Sequence, residues 1–309
     1  MKSLCGYLSL FLTVILLLFP LIPNKKVSAQ PVLLTQPQED KEITFRLKQG
    51  EEIKTIGAKD YIIGVVSAEM PALYNEEALK AQAVAAYTFA IKRKQENTAN
   101  NYDITDDFTT DQSYIDTQKQ KEKWGDKYGE YSEKISKAVT SVLGKTVQYK
   151  GEYALTVYTA YSTGKTESAK NVWGKDIPYL TPVDSVGDML CPDYLSTVSL
   201  SEAQIKEKLP KIKDIAAKDW FSSPTYSDSS TVMSMKFADT VLTGSEIKTA
   251  LSLKSAAFEV KNQNGTFVFT VRGYGHLVGM SQYGANYMAM QGSTYEEILK
   301  WYYKGCEVV

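Results

Sequence analysis

Apolar residues recur at helical spacing in the stretch YIIGVVSAEMPALYNEEALKAQAVAAYTFAIKRKQE, residues 61–96. Its first part predicts a short helix over residues 61–69 that Asp60 caps. The inward-facing positions are Ile62, Val65 and Val66. Pro71 lacks an amide hydrogen and disfavours helical backbone at the residue before it, so this helix should end at Glu69 or Met70.

A second, longer helix is predicted to begin after Asn75. Glu76 and Glu77 occupy its first turn, and its last turns are basic, so the charges at both ends complement the helix dipole. The basic residues are Lys92, Arg93 and Lys94. Five alanines let another element pack close to its backbone; they are Ala81, Ala83, Ala85, Ala86 and Ala90.

Glu69 combines a carboxyl group with this apolar, closely packed setting. Burial would raise its pKa toward the range that suits a general acid. The alternative interpretation is a solvated glutamate at a helix end, which is the common fate of glutamate. The local pattern leaves both interpretations open.

Further along the chain, the pattern predicts interspersed helices and strands without a regular βαβ rhythm, which indicates an α+β fold. Residues 97–131 are expected to form a long surface loop with one or two helical turns, and residues 190–224 a small insertion. The predicted strands are residues 43–47 and 52–56 in a hairpin about residues 48–50, then 146–149, 153–158, 233–237, 256–261 and 266–272. The further helices are residues 132–143, 201–209, 245–253, 281–290 and 293–303.

The amino-terminal residues predict export from the cytoplasm. Residues 3–24 carry no charge and are long enough to span a bilayer. Residues 1–29 are therefore either a retained transmembrane anchor, which the length of the apolar run favours, or a signal peptide cleaved after Val27-Ser28-Ala29. A polar, proline-containing linker follows at residues 30–42, and residues 43–309 form one mixed helix/strand domain.

Composition excludes several classes of function. The net charge of −1 gives no basic patch for nucleic acid. One histidine, His276, and three dispersed cysteines cannot form a zinc site, so we expect no metal and no cofactor. Cys191 and Cys306 either pair as a disulfide or remain separate thiols, and nothing in the sequence places them together.

Two long motifs carry a family resemblance. The chain contains two stretches that are similar to the two signatures of the stage II sporulation protein D / LytB family. They are EMPALYNEEALKAQAVAAYTFA, residues 69–90, and GYGHLVGMSQYGA, residues 273–285. Between them lie YDITDDFTTDQSY, STGKTESAKNVWG and PYLTPVDS, in the order typical of that family. The resemblance covers roughly residues 43–305.

The resemblance implies a lytic transglycosylase that acts on peptidoglycan strands stripped of stem peptides. Glu69 matches the family acid, which protonates the bridging oxygen and then accepts the proton of the muramic acid 6-hydroxyl, giving a 1,6-anhydro sugar. The implied setting is forespore engulfment, with the enzyme in the mother-cell membrane at the sporulation septum. The implied partners are stage II sporulation proteins P and M.

The resemblance also places a glycan-binding groove opposite Glu69, walled by the second motif. Its expected substrate-binding residues are Tyr158, Ser162, Gly164, Tyr274, His276, Ser281, Gln282 and Tyr283. Tyrosines would stack on sugar rings, and Ser281 and Gln282 would bond sugar hydroxyls. From the residues alone, His276 equally suits a structural histidine and Ser281 a plain helix cap.

Four positions depart from the family pattern. The family usually has an arginine at the position of Tyr87 and a histidine at the position of Thr159. It has the first of two adjacent glycines at the position of Thr163 and a glycine at the position of Leu277. These departures keep a second interpretation open, in which the protein is a non-catalytic, wall-binding enhancer of an amidase. A serine hydrolase using Ser281 is disfavoured, because the sequence around it lacks the glycine of a nucleophile elbow.

Overall fold

The computed structural model describes residues 43–209 and 216–309. The predicted anchor or signal peptide and the linker, residues 1–42, lie outside the described residues. Within the two described ranges, no helix has the length and apolar character needed to cross a membrane.

Helices and strands alternate irregularly along the chain, which confirms the prediction of a mixed helix/strand fold. The α-helices are α1 Ala58–Glu69, α2 Glu76–Glu96, α3 Thr117–Trp124, α4 Tyr128–Val142, α5 Ala169–Trp173, α6 Glu202–Lys208, α7 Gly244–Leu251, α8 Gln282–Met290 and α9 Tyr295–Tyr302. The strands are β1 Thr44–Gln49, β2 Glu52–Gly57, β3 Ile104–Thr105, β4 Val147–Tyr149, β5 Glu152–Tyr153, β6 Tyr158–Thr159, β7 Leu195–Ser201, β8 Phe221–Tyr226, β9 Val232–Phe237, β10 Thr240–Leu242, β11 Phe258–Gln263, β12 Thr266–Arg272, β13 Met280–Ser281 and β14 Glu307–Val308.

The first lobe, residues 43–194 and 273–309, packs its helices around α2. This helix is buried along most of its length because its alanines let α1, α4, α8 and α9 approach closely. Three small sheets surround this core: β2-β1-β3, β14-β4-β5 and the parallel pair β13-β6. The pair β13-β6 aligns Met280 with Tyr158 and Ser281 with Thr159, so it joins the second motif to the middle of the chain.

The second lobe, residues 195–272, has its own hydrophobic core. It consists of the sheets β11-β12-β7 and β10-β9-β8 with α6 and α7. Trp220 stacks on Phe267 in its centre, with ring centroids 5.3 Å apart. The lobe begins and ends at one place, because Leu195 pairs with Arg272 and the Gly273 amide donates to the Tyr194 carbonyl at 3.1 Å.

A loop of the second lobe, residues 227–229, docks on the first lobe, and we call it the latch. Ser227 donates to the buried Glu167 carboxylate at 2.5 Å. Ser229 donates to the Thr166 carbonyl at 2.6 Å and accepts from Thr163 at 2.8 Å through its own carbonyl. Thr163, where the family has glycine, therefore contributes to the contact between the lobes.

Three boundary predictions need correction. Helix α1 begins at Ala58 rather than Tyr61, because Gly57 is the N-cap in an extended conformation and Asp60 lies in the first turn. The strand predicted at residues 153–158 is interrupted, since the Thr156 hydroxyl donates to the Ala85 carbonyl of α2 at 2.7 Å. Residues 97–131 contain a full helix, α3, capped by Asp116.

The region expected to be a small insertion starts with strand β7, which the sequence pattern did not reveal. Only Leu200 of its seven residues is buried, so its side chains give a weak periodic signal. Strands β8 and β10 were not predicted either, whereas α6, β9, α7, β11 and β12 agree with prediction within a few residues.

Candidate functional site

The turn between α1 and α2 holds Glu69 at the carboxyl end of α1. As predicted, α1 ends before Pro71, with Met70 as its C-cap, and Asn75 caps α2 by accepting the Glu77 amide at 3.0 Å. The Asn75 amide donates to Asn286 of α8 at 2.7 Å, which fixes the turn against the second motif.

Glu69 is partly buried and held at two points. Its Oε1 accepts a hydrogen bond from the Ser113 amide at 2.9 Å, and its side chain also hydrogen-bonds Gln282. Burial raises the pKa of Glu69 above its ordinary value of 4.5, and these hydrogen bonds oppose that effect only in part. The carboxyl group is therefore more readily protonated than a solvated glutamate, as the first interpretation predicted.

Lys123 of α3 approaches the same helix end. Its ammonium donates to the carbonyls of Ser67 and Ala68 at 2.8 and 3.2 Å, which are among the last carbonyls of α1. Its charge interacts with Glu69 and lowers the pKa of that carboxyl, against the larger effect of burial. The sequence pattern did not suggest this lysine, because α3 itself was not predicted.

Polar side chains form two hydrogen-bonded chains beside Glu69. Gln282, at the start of α8, donates to the buried Gln82 of α2 at 3.4 Å. The Tyr158 hydroxyl donates to Gln112 at 2.9 Å, and Gln112 donates in turn to Tyr61 at 3.2 Å. Tyr158 and Gln282, both predicted site residues, thus lie at the acid, and the negative charge of Glu69 raises the pKa of Tyr158 in addition to burial.

Thr159 organises the glycine-rich loop at residues 273–279. Its hydroxyl donates to the Tyr274 carbonyl at 2.8 Å and accepts the Leu277 amide at 3.2 Å, so it bridges both sides of the loop. Gly275 has a φ of 110°, and a Cβ there would lie 2.3 Å from the Thr159 hydroxyl. Thr159, where the family has histidine, therefore takes a structural position against a glycine that no other residue could replace.

Leu277 adopts a left-handed conformation with a φ of 68°. This conformation is unfavourable for a residue with a Cβ, and the family has glycine there. The side chain is 1% exposed, so its burial in the core offsets the backbone cost.

His276 is a partly buried, neutral histidine. Its Nδ1 accepts the Val278 amide at 3.0 Å, so the proton of the neutral ring resides on Nε2. Burial, together with the charge of Lys248, lowers its pKa to about 4. The ring packs edge-to-face on Trp173, with centroids 5.1 Å apart, and among the described residues its contacts do not include Glu69.

Asp188 is a buried carboxylate that the sequence analysis missed. Its Oδ2 accepts from the amide and the hydroxyl of Ser162 at 2.7 and 2.5 Å, and its Oδ1 accepts from Ser281 at 2.6 Å. Ser281 also caps α8 by accepting the Gly284 amide at 3.0 Å. The two predicted serines are fully buried and bonded to Asp188, so their hydroxyls position the backbone beside the site.

The remaining predicted residues are exposed or partly buried, and among the described residues their hydrogen bonds and ring contacts are with groups other than Glu69. Tyr274 is 49% exposed, and the Lys254 ammonium lies 5.6 Å from its ring centroid. Tyr283 packs edge-to-face on Tyr74, with centroids 6.2 Å apart. Gly164 has a φ of 97°. These positions suit sugar contacts, which stay a prediction.

The other departures and the cysteines have simple structural positions. Tyr87 of α2, where the family has arginine, is 6% exposed in the core. Cys191 and Cys306 are free thiols, which is one of the two alternatives that the sequence left open. In residues 43–209 and 216–309, no group of three or more histidine, cysteine or acidic residues is arranged to hold a metal ion.

A pocket of about 580 Å³ lies elsewhere, between α1, α3 and α4. Asp60, Asp116 and Glu133 are among its lining residues, and Glu69 is not. The candidate site around Glu69 therefore lies outside this pocket.

Comparison with known proteins supports the family resemblance. The profile of the family described as "Stage II sporulation protein" matches residues 47–149. Stage II sporulation protein D of Bacillus subtilis (strain 168) is 37% identical over 264 residues, which cover 84% of this chain and 76% of that protein. Stage II sporulation protein D of Bacillus amyloliquefaciens is 35% identical over 286 residues, covering 91% and 81%.

A more distant relative bears on the alternative interpretation. A Bacillus subtilis (strain 168) protein named "Amidase enhancer" is 28% identical over 302 residues, covering 78% of this chain and 39% of that protein. The greater identity and coverage lie with the sporulation proteins, and on these matches the chain belongs to the stage II sporulation protein D family.

Proposed function

We propose that this protein is a lytic transglycosylase that cleaves denuded peptidoglycan strands and leaves 1,6-anhydromuramic acid ends. The observation that carries the proposal is the setting of Glu69. It is a partly buried carboxyl with a raised pKa, oriented by the Ser113 amide and by Gln282, at the position that matches the family acid.

One carboxyl group is sufficient for this reaction. Glu69 donates its proton to the glycosidic oxygen as the bond from that oxygen to C1 breaks. The resulting carboxylate then accepts the proton of the 6-hydroxyl while that oxygen bonds to C1, which restores the acid and consumes no water. Hydrolytic glycosidases need a second carboxylate for the nucleophile or the water, and this mechanism does not.

The raised pKa of Glu69 fits both steps. A general acid works best when its pKa is near the pH at which it acts, because it must be protonated at the start and a competent base afterwards. Lys123 stabilises the carboxylate between the two steps, and the Ser113 amide holds the carboxylate oxygen in place.

The proposal extends to the biological setting. Membership of a sporulation family supports a role in engulfment of the forespore, with residues 1–29 in the mother-cell membrane at the septum, residues 30–42 as a linker and residues 43–309 as the catalytic domain. Stage II sporulation proteins P and M are the proposed partners, because an enzyme that needs denuded strands requires an amidase beside it.

The second candidate is a non-catalytic enhancer of an amidase. It is favoured by the departures at Tyr87, Thr159 and Leu277 and by the relative named "Amidase enhancer". Under this alternative, the site around Glu69 binds glycan without cleaving it.

The deciding experiment incubates the full-length protein, in a non-ionic detergent, with denuded glycan strands. Mass spectrometry of the products should show anhydro ends, and Glu69→Gln should reduce their rate by roughly a hundredfold or more with unchanged thermal melting. If the wild-type protein makes no anhydro ends but accelerates an added amidase, the enhancer role is correct. Equal rates for wild type and Glu69→Gln would show that Glu69 is not the acid.

A further inference from the structure

Lys123 presents a positive charge that lies close enough to the acid to lower the pKa of Glu69. Its ammonium donates to the carbonyls of Ser67 and Ala68, which uses two of its three protons. The side chain is exposed, and among the described residues no carboxylate lies within ion-pair distance of its ammonium. The remaining proton has no acceptor among the described residues, and the exposed position leaves it accessible to solvent.

Two other lysines near the α1–α2 turn are engaged differently. Lys80 forms ion pairs with Glu76 and Glu77 at 3.0 and 2.8 Å, so its charge is compensated. Lys134 donates to the Tyr74 carbonyl at 2.6 Å from a partly buried position. Lys123 combines a fixed position and exposure with an ammonium that, within residues 43–209 and 216–309, forms no direct ion pair, and this combination suits the binding of an anion.

The proposed substrate carries an anionic group close to the bond that would be cleaved. Each muramic acid carries a lactyl group, whose carbonyl forms a neutral amide with the stem peptide. An amidase that removes the peptide leaves a free carboxylate. This carboxylate and the bond that Glu69 would attack belong to the same sugar residue, so a group that binds one must lie within about one sugar width of the other.

Resting on the proposed function, we propose that Lys123 binds the free lactyl carboxylate of muramic acid and so makes the enzyme specific for denuded strands. The ammonium forms a charge-assisted hydrogen bond with the carboxylate, which an amide cannot match. Stem-bearing strands lose this bond and must also accommodate the peptide. Lys123 is thus a specificity-determining residue, and the carbonyls of Ser67 and Ala68 hold it in position.

A purely structural role for Lys123 predicts something different. A lysine that only caps α1 would stabilise the helix end, and its loss would lower the melting temperature without changing which glycan is preferred. Substrate preference therefore separates the two roles, whatever happens to stability.

The test uses denuded glycan and the same glycan with its lactyl carboxylates converted to N-methylamides. The full-length protein should prefer the carboxylate form by roughly tenfold or more in kcat/KM, and added salt should reduce this preference. Lys123→Met should abolish the preference, and Lys123→Arg should keep most of it. Lys119→Met is the matched control, because Lys119 is exposed on the same helix and should leave the preference unchanged.

Two results would overturn the inference: a wild-type protein that cleaves both glycans equally well, or a Lys123→Met variant with wild-type preference. If the wild-type protein cleaves neither glycan, the proposed activity itself fails. Calorimetry with soluble oligosaccharides of the carboxylate and the N-methylamide form then tests whether Lys123 binds the carboxylate. Tighter binding of the carboxylate form that disappears in Lys123→Met then supports the inference, and equal binding of the two forms refutes it.

Discussion

Replacing Asp188 with alanine should destabilise the protein strongly. The carboxylate is fully buried and accepts three hydrogen bonds from Ser162 and Ser281. Hydrogen bonds to charged groups contribute about 1.5–3 kcal/mol each, while removing the carboxylate also removes its desolvation cost. Since the Ser162 amide would remain buried without a partner, we expect the free energy of unfolding to fall by about 3–5 kcal/mol.

The assay is thermal unfolding of the full-length protein at neutral pH. For a domain of this size, the expected loss corresponds to a melting temperature lower by roughly 6–12 °C. Asp188→Asn should lose less than half as much, because its amide can accept from Ser162 and donate to Ser281. Asp176→Ala, at an exposed position of the same lobe, is the control and should change little. An Asp188→Ala variant that melts within about 2 °C of wild type would refute the reasoning.

Further predictions concern pH, backbone geometry and metal. Activity should fall as the pH rises through the raised pKa of Glu69, because only the protonated carboxyl donates a proton. Lys123→Met removes a charge that lowers this pKa, so it should move the alkaline limb of the pH–rate profile to higher pH. An unchanged limb would contradict the electrostatic interaction between Lys123 and Glu69. Folding lowers the pKa of His276 from 6.5 to about 4, so as the pH falls the unfolded chain binds a proton before the folded protein does. The free energy of unfolding should therefore fall by up to about 3 kcal/mol between pH 6.5 and pH 4. Urea titrations at pH 7 and 4.5 measure this loss, which should shrink in His276→Asn. Gly279→Ala should destabilise far more than Gly292→Ala in thermal melts, because both have positive φ but only the Cβ at residue 279 would meet a carbonyl, at 2.0 Å. Chelator treatment should change neither melting temperature nor activity, and stoichiometric zinc in elemental analysis would show this expectation wrong.

Local chemistry predicted the backbone around the candidate acid well. A proline ends α1, an asparagine caps α2 and a serine caps α8, and each effect acts within a few residues of the position that causes it. In the second motif, Gly275 and Gly279 lie where the backbone passes so close to Thr159 and Val157 that a Cβ would not fit.

Buried and charged groups that reach α1 and the second motif from distant parts of the chain could not be predicted in the same way. Asp188 is 26 residues from Ser162 and 93 residues from Ser281, and nothing in its local sequence marks it as buried. Lys123 reaches the end of α1 across 56 residues, on a helix whose polar sequence has little periodic signal. Such contacts depend on tertiary packing, which hydrophobic periodicity does not describe.

The attachment of the second lobe has a mechanical consequence. The second lobe is joined to the first where the Gly273 amide donates to the Tyr194 carbonyl, and it contacts the first lobe again at the latch. The second lobe also holds the glycine-rich loop itself, because the Gly275 amide donates to the Lys254 carbonyl at 3.0 Å and Lys248 donates to the Gly275 carbonyl at 3.3 Å. The second lobe therefore braces this loop, and a substitution that loosens the lobe should also loosen the loop that carries His276.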